Sequence, residues 1–169
     1  MNYRIRENCI FEHVDVFQTE GELKNYLNSI SAPLGLLIIE FNALEDEVTM
    51  HLSEVYTMLD LPINLELLQM MYGRKTKELI RRYKQLTVNA PELRSEVNDL
   101  KRGFANSAEV RNRFTHASWL YTSPSKGVSC SEDKSVYRKF SASDIQDGLN
   151  VITRSRAHLI HLHQRLAKC

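Results

Sequence analysis

Cysteine is scarce and poorly spaced for cross-linking. The 169-residue chain has three, Cys9, Cys130 and Cys169, with no CxxC pair. An odd number of distant thiols gives no basis for a disulfide framework or a zinc cluster, so these read as incidental thiols. Four prolines and six glycines are too few for a sandwich or barrel rich in tight turns. There is no Gly-rich phosphate loop and no GxSxG elbow, no internal repeat and no low-complexity tract. The longest apolar run, Leu34-Gly35-Leu36-Leu37-Ile38-Ile39, ends at Glu40 and is far too short to span a bilayer. The start, Met1-Asn2-Tyr3-Arg4-Ile5-Arg6-Glu7, lacks the apolar stretch of a signal peptide. The expectation is a cytoplasmic protein with no membrane partner.

What is present is ordinary for a soluble globular chain: 43% hydrophobic and 25% charged residues, with enough length for one domain, 1–169, around a real core. The net charge of +1 hides an asymmetry. Residues 1–60 carry three basic and eleven acidic side chains, and residues 61–169 carry nineteen and ten. A strongly positive surface on the second part would suit a polyanion. Neutralisation of one part by the other across a packed bundle or a dimer accounts for the asymmetry equally well.

Hydrophobic periodicity points to a mainly all-α fold. Leu23, Tyr26, Leu27 and Ile30 predict a short helix over 20–30, closed by Pro33 because the residue before a proline avoids helical geometry. Leu37, Phe41, Leu44, Val48, Leu52, Val55 and Leu59 predict a long helix over 34–60, ended at Pro62. A second helical region over 64–87 carries Leu65, Leu68 and Met71 on one stripe and continues through Leu79, Tyr83 and Leu86, with Gly73 breaking or kinking it. Its six basic residues, Arg74, Lys75, Lys77, Arg81, Arg82 and Lys84, spread over more than one face and read first as a solvated surface. Pro91 suits a first helical turn. From there Leu93, Val97, Leu100, Phe104 and Ala108 form a stripe, with helical character to about Trp119 or Leu120. Residues 121–142 read as loop, with Ser135 to Phe140 as one arm of a small hairpin. The last helix is capped at Ser143, with Gln146 at capping-box spacing, and Ile145, Leu149, Ile152, Leu159 and Leu166 line one face.

Chemistry concentrates late in the fourth helical region. The stripe from Leu93 to Ala108 next falls near Arg111 and Thr115. A permanent cation therefore stands on or beside a buried face, which is costly unless a partner or a ligand anion satisfies it. Asn112 and His116 are helical neighbours at i, i+4, and an amide beside an imidazole can fix its orientation and tautomer. Arg111 and His116 lie about 140° apart around a helix axis. They converge on one cleft if the helix ends near His116 or if a second copy supplies the other half. A guanidinium binds phosphate in a fork and stabilises transition-state charge, while an imidazole moves protons near neutral pH. With the RNA 2′-hydroxyl as internal nucleophile, such a pair needs no metal.

The segment Arg111-Asn112-Arg113-Phe114-Thr115-His116, followed by Ala117-Ser118-Trp119 and preceded by a long amphipathic helix bearing Phe41-Asn42-Ala43-Leu44-Glu45, resembles the HEPN superfamily, whose hallmark is Arg, four to six residues, then His. The resemblance covers about 34–168. It implies a four- to five-helix bundle, with a short loop or small β-hairpin before the last helix in this chain. It further implies a homodimer that brings two motifs into one cleft, and a catalytic set of Arg111, Asn112 and His116 with no cofactor and no metal. Active members are metal-independent endoribonucleases of toxin–antitoxin or phage-defence systems, commonly encoded with a nucleotidyltransferase-type antitoxin. The other reading left open is a non-catalytic helical module that binds such a partner or nucleic acid.

The remaining polar residues receive plainer readings. His158, His161 and His163 on the last helix are taken as surface or interface histidines, since no two are four apart and no second ligand set is evident. Glu40, Glu45, Asp46 and Glu47 read as a solvated helix face, and Trp119 as a packing anchor.

Overall fold

The structure is a computed structural model that describes residues 20–63, 65–115, 128–133, 136–140 and 142–168. In chain order the described elements are helices α1 (Glu20–Met58), α2 (Leu65–Leu68) and α3 (Tyr72–Leu86), a 3-10 turn at Pro91–Leu93, helix α4 (Arg94–Thr115), strands β1 (Val128–Asp133) and β2 (Val136–Phe140), and helix α5 (Ala142–Leu166). The chain is thus mainly all-α, with one small hairpin before the last helix among the described residues. Its strands pair antiparallel, Val128 opposite Phe140 and Cys130 opposite Arg138, with a register shift between Ser131 and Asp133. No described helix is long and apolar enough to cross a membrane.

Three boundaries differ from the periodicity reading. Pro33 lies inside the continuous 39-residue α1 instead of ending a first helix. An internal proline costs about 3 kcal/mol, but Ile30 and Leu37 on either side are only 4% and 0% exposed. Burying such side chains stabilises by about 1.5–3 kcal/mol each, enough to carry the helix through. The second helical region is two helices, and the break falls at residues 69–71, leaving Gly73 in the first turn of α3. A one-turn helix offers no continuous stripe, so Leu65 and Met71 remain 71% and 82% exposed. Finally, α5 begins at Ala142, so Ser143 is a first-turn residue and not the cap.

The end of α1 has a physical cause. The amide of Leu61 donates to the carbonyl of Tyr56 at 2.9 Å and that of Asp60 to Thr57 at 3.1 Å. This Schellman arrangement requires a left-handed residue, and Asp60 supplies it at φ 51°. Pro62 then prevents resumption.

Packing divides the chain into two compact units. The first comprises Met1–Ile38 and Glu109–Leu149. Its described core holds Ile30, Leu37, Phe114 and Ile145, all nearly inaccessible. Gly148 allows the helices to touch there. A Cβ at that position would lie 2.8 Å from Val110 Cγ1, 3.0 Å from Phe114 Cε2 and 3.3 Å from Leu37 Cδ1.

The second unit, Ile39–Ala108 with Asn150–Cys169, is a helical bundle. Leu44, Val48 and Leu52 from α1, Leu79 and Tyr83 from α3, and Val97 and Leu100 from α4 are fully buried. Leu159 and Leu162 from α5 are buried with them. The Tyr72 ring lies between Phe41, tilted against it at 4.8 Å, and Phe104, edge-on at 6.2 Å between centroids. Small residues seat α4 on α5: Ser107 Oγ donates to Ser155 Oγ at 3.0 Å, and a Cβ on Gly103 would come within 2.9 Å of that same oxygen.

Candidate functional site

On α4 the buried positions Leu93, Val97, Leu100, Phe104 and Ser107 recur at alternating steps of four and three. The next two positions in that register are Arg111 and Phe114. Phe114 is 2% exposed; Arg111 holds the core-register position and is half-buried, with its guanidinium at an exposed hydrogen bond. Arg111 Nη1 donates to Asn112 Oδ1 at 3.0 Å, and Thr115 Oγ1 donates to the Arg111 carbonyl at 2.8 Å. Arg113 points elsewhere, with Nη2 2.8 Å from Glu109 Oε1. Of the three predicted site residues, Arg111 and Asn112 are therefore in contact. His116 lies outside the described residues, as does Trp119.

A second constellation, within the unit of Ile39–Ala108 and Asn150–Cys169, has no counterpart in the sequence reading. His163 is not a surface histidine but 7% exposed, and His51 is 5% exposed. Their rings stack at 4.0 Å between centroids, with a 24° interplanar angle. Glu54 Oε2 bridges them, 2.8 Å from His51 Nδ1 and 2.9 Å from His163 Nε2. Tyr83 Oη lies 2.9 Å from His163 Nδ1, and Glu47 Oε2 is 3.4 Å from His51 Nε2. Burial, and then the neighbouring His51 ring, lower the proton affinity of His163 below the ordinary histidine value. Burial, and then Glu54, raise that of the Tyr83 hydroxyl, so the phenol stays protonated. Beside the cluster is a cavity of about 690 Å³, lined in part by Thr57, Met58, Gln164 and Lys168.

No family model, curated protein or solved structure matches the chain.

A signal for the histidine cluster was present in the sequence. His51 follows Val48 by three and precedes Val55 by four, while His163 follows Leu159 by four and precedes Leu166 by three. Both occupy core positions of an apolar stripe, where a polar ring needs partners. The acidic face of α1 is likewise not simply solvated. Arg156 reaches Glu40 at 3.2 Å and Glu47 at 3.5 Å. Buried Lys75 reaches Glu45 at 3.5 Å and Thr49 at 3.0 Å. Asp46 alone of that group is exposed.

The basic run of α3 divides by face. Lys75 and Arg82 turn inward, whereas Arg74, Lys77, Arg81 and Lys84 are exposed. Lys77, Arg81 and Lys84, joined by Lys101 of α4, line a groove of about 580 Å³ that also includes Tyr72, Ile80 and Phe104. Cations beside apolar and aromatic surface suit a phosphate-bearing ligand.

Proposed function

We propose that the chain is a cytoplasmic, metal-independent endoribonuclease of the toxin or antiviral-defence kind. In this reading it acts as a homodimer through Arg111, Asn112 and His116, with a nucleotidyltransferase-type antitoxin as its partner. The observation that carries the reading is Arg111, a half-buried residue on the core register of α4 whose guanidinium donates to Asn112 at 3.0 Å within the Arg-x4-His motif. The Asn112 contact restricts the guanidinium, and a pre-oriented fork is what phosphate recognition uses. An imidazole removes the proton from the RNA 2′-hydroxyl, and the 2′-oxygen attacks phosphorus. The 5′-oxygen then leaves with a proton from a second imidazole. Two copies of the motif in one dimer supply both proton carriers, and Arg111 carries the charge that develops on the phosphoryl oxygens.

RNA cleavage by the variant series tests the assignment. Arg111→Ala is expected to lower the rate by about 10²–10³-fold. Arg111→Lys should restore only part of it, because an ammonium does not reproduce the two-pronged contact. Arg113→Ala should have a smaller effect, since Arg113 is engaged with Glu109. Equal damage from Arg113→Ala and Arg111→Ala would overturn the roles.

The basic groove along α3 favours a second reading, a nucleic-acid-binding module without cleavage. Gel-shift binding that requires Lys77, Lys84 and Lys101, with intact RNA recovered, would select it.

A further inference from the structure

We propose that His51, Glu54 and His163 form a binding site for a divalent transition-metal ion of the zinc class, with one coordination position open to the adjoining cavity. This site does not depend on Arg111 or on RNA cleavage.

The three donors converge. The three side chains each offer one ligand atom, and these atoms lie within 4.8 Å of one another. Ligand atoms about 2.0–2.1 Å from one ion stand about 3–3.4 Å apart. The carboxylate oxygen already stands 2.8 Å and 2.9 Å from the two ring nitrogens; to share an ion, the nitrogens, within 4.8 Å of one another, must close to about 3–3.4 Å by a splaying of the stacked rings. Two imidazoles and a carboxylate are a donor set that zinc and its neighbours accept.

The cluster also leaves a buried nitrogen without a partner. Glu54 Oε2 stands between His51 Nδ1 and His163 Nε2, and the other nitrogen of the His51 ring is Nε2. That nitrogen is buried and has no hydrogen-bond partner, and its nearest charged neighbour is Glu47 Oε2, another acceptor, at 3.4 Å. With an ion between the three donors the protons move to the far sides of the rings. His51 Nε2–H faces Glu47, and His163 Nδ1–H donates to Tyr83 Oη. Each ring nitrogen then has a role, and Glu47 and Tyr83 become the outer partners that orient metal-bound imidazoles.

The cluster is also accessible. Glu54 is 47% exposed, and the cavity beside the cluster admits water or a further ligand at a fourth position.

The test uses the full chain and Co²⁺, whose visible d–d bands report nitrogen and oxygen coordination. One Co²⁺ per chain is expected, with bands that added Zn²⁺ removes, and Zn²⁺ should raise the thermal midpoint. Outer partners alone are worth about 10–100-fold in affinity, so Tyr83→Phe should fall in that range and Glu54→Gln beyond it. His161→Ala, exposed on the same helix, should bind as wild type. His163→Ala should also lose binding. If circular dichroism shows that variant unfolded, Glu54→Gln decides, because its side chain is half-exposed and keeps its size. A wild-type chain without Co²⁺ bands or a Zn²⁺-dependent rise overturns the proposal, as does Glu54→Gln binding with wild-type affinity.

Discussion

Glu78 accepts hydrogen bonds from Tyr56 at 2.7 Å, from Arg81 at 2.6 Å and 2.7 Å, and from Arg82 at 2.7 Å. The Arg81 bonds first, then those from Tyr56 and Arg82, hold its carboxyl at about 2 against the ordinary 4.5, with burial opposing them. A depressed carboxylate favours the folded state fully above the ordinary value and loses that contribution as pH falls through the folded one. Stability should therefore decline between pH 4.5 and about 2. Glu78→Gln should cost about 1–2 kcal/mol at neutral pH and flatten this acid limb in urea titrations at several pH values. An unchanged acid limb would show that the cluster is not maintained in solution. At this scale the sequence reveals residues unevenly. Arg111 was legible because its neighbours on one stripe are all local. His51 and His163 were not paired in the sequence reading because more than a hundred residues separate them. Only the packing of α5 beside α1 within the bundle brings them together.

Among the elements, α4 and α5 were legible almost throughout, because long stripes of Leu, Val and Ile at helical spacing leave one choice of face. Local punctuation was less reliable. Pro33 reads as a stop, yet the burial of Ile30 and Leu37 outweighs it. Leu65, Leu68 and Met71 read as a stripe, yet α2 is a single turn. The four-residue reach of a helix signal does not include the tertiary contacts that override it. Gly148 gives an element-scale prediction. Alanine in a helix interior gains about 1 kcal/mol over glycine. Here the new methyl would meet a stiff Val110 at 2.8 Å, and overpacking costs about 1–3 kcal/mol. Gly148→Ala should therefore lower the thermal midpoint. A higher midpoint would mean that the helices of the first unit are not in contact at this position.

For the whole molecule, the proposed mechanism needs two copies of the motif. Light scattering at micromolar concentration should give about twice the 19.6 kDa chain mass, and a strict monomer would remove the second imidazole. The most direct measurement is cleavage of RNA on a denaturing gel with EDTA present, comparing the wild-type chain with His116→Ala and recording the helical signal in the same buffer. Wild type should cut without added metal and leave 2′,3′-cyclic phosphate ends. His116→Ala should not cut, while keeping the same helical signal and mass. Cleavage abolished by EDTA and restored by magnesium, or His116→Ala cutting at the wild-type rate, would contradict it.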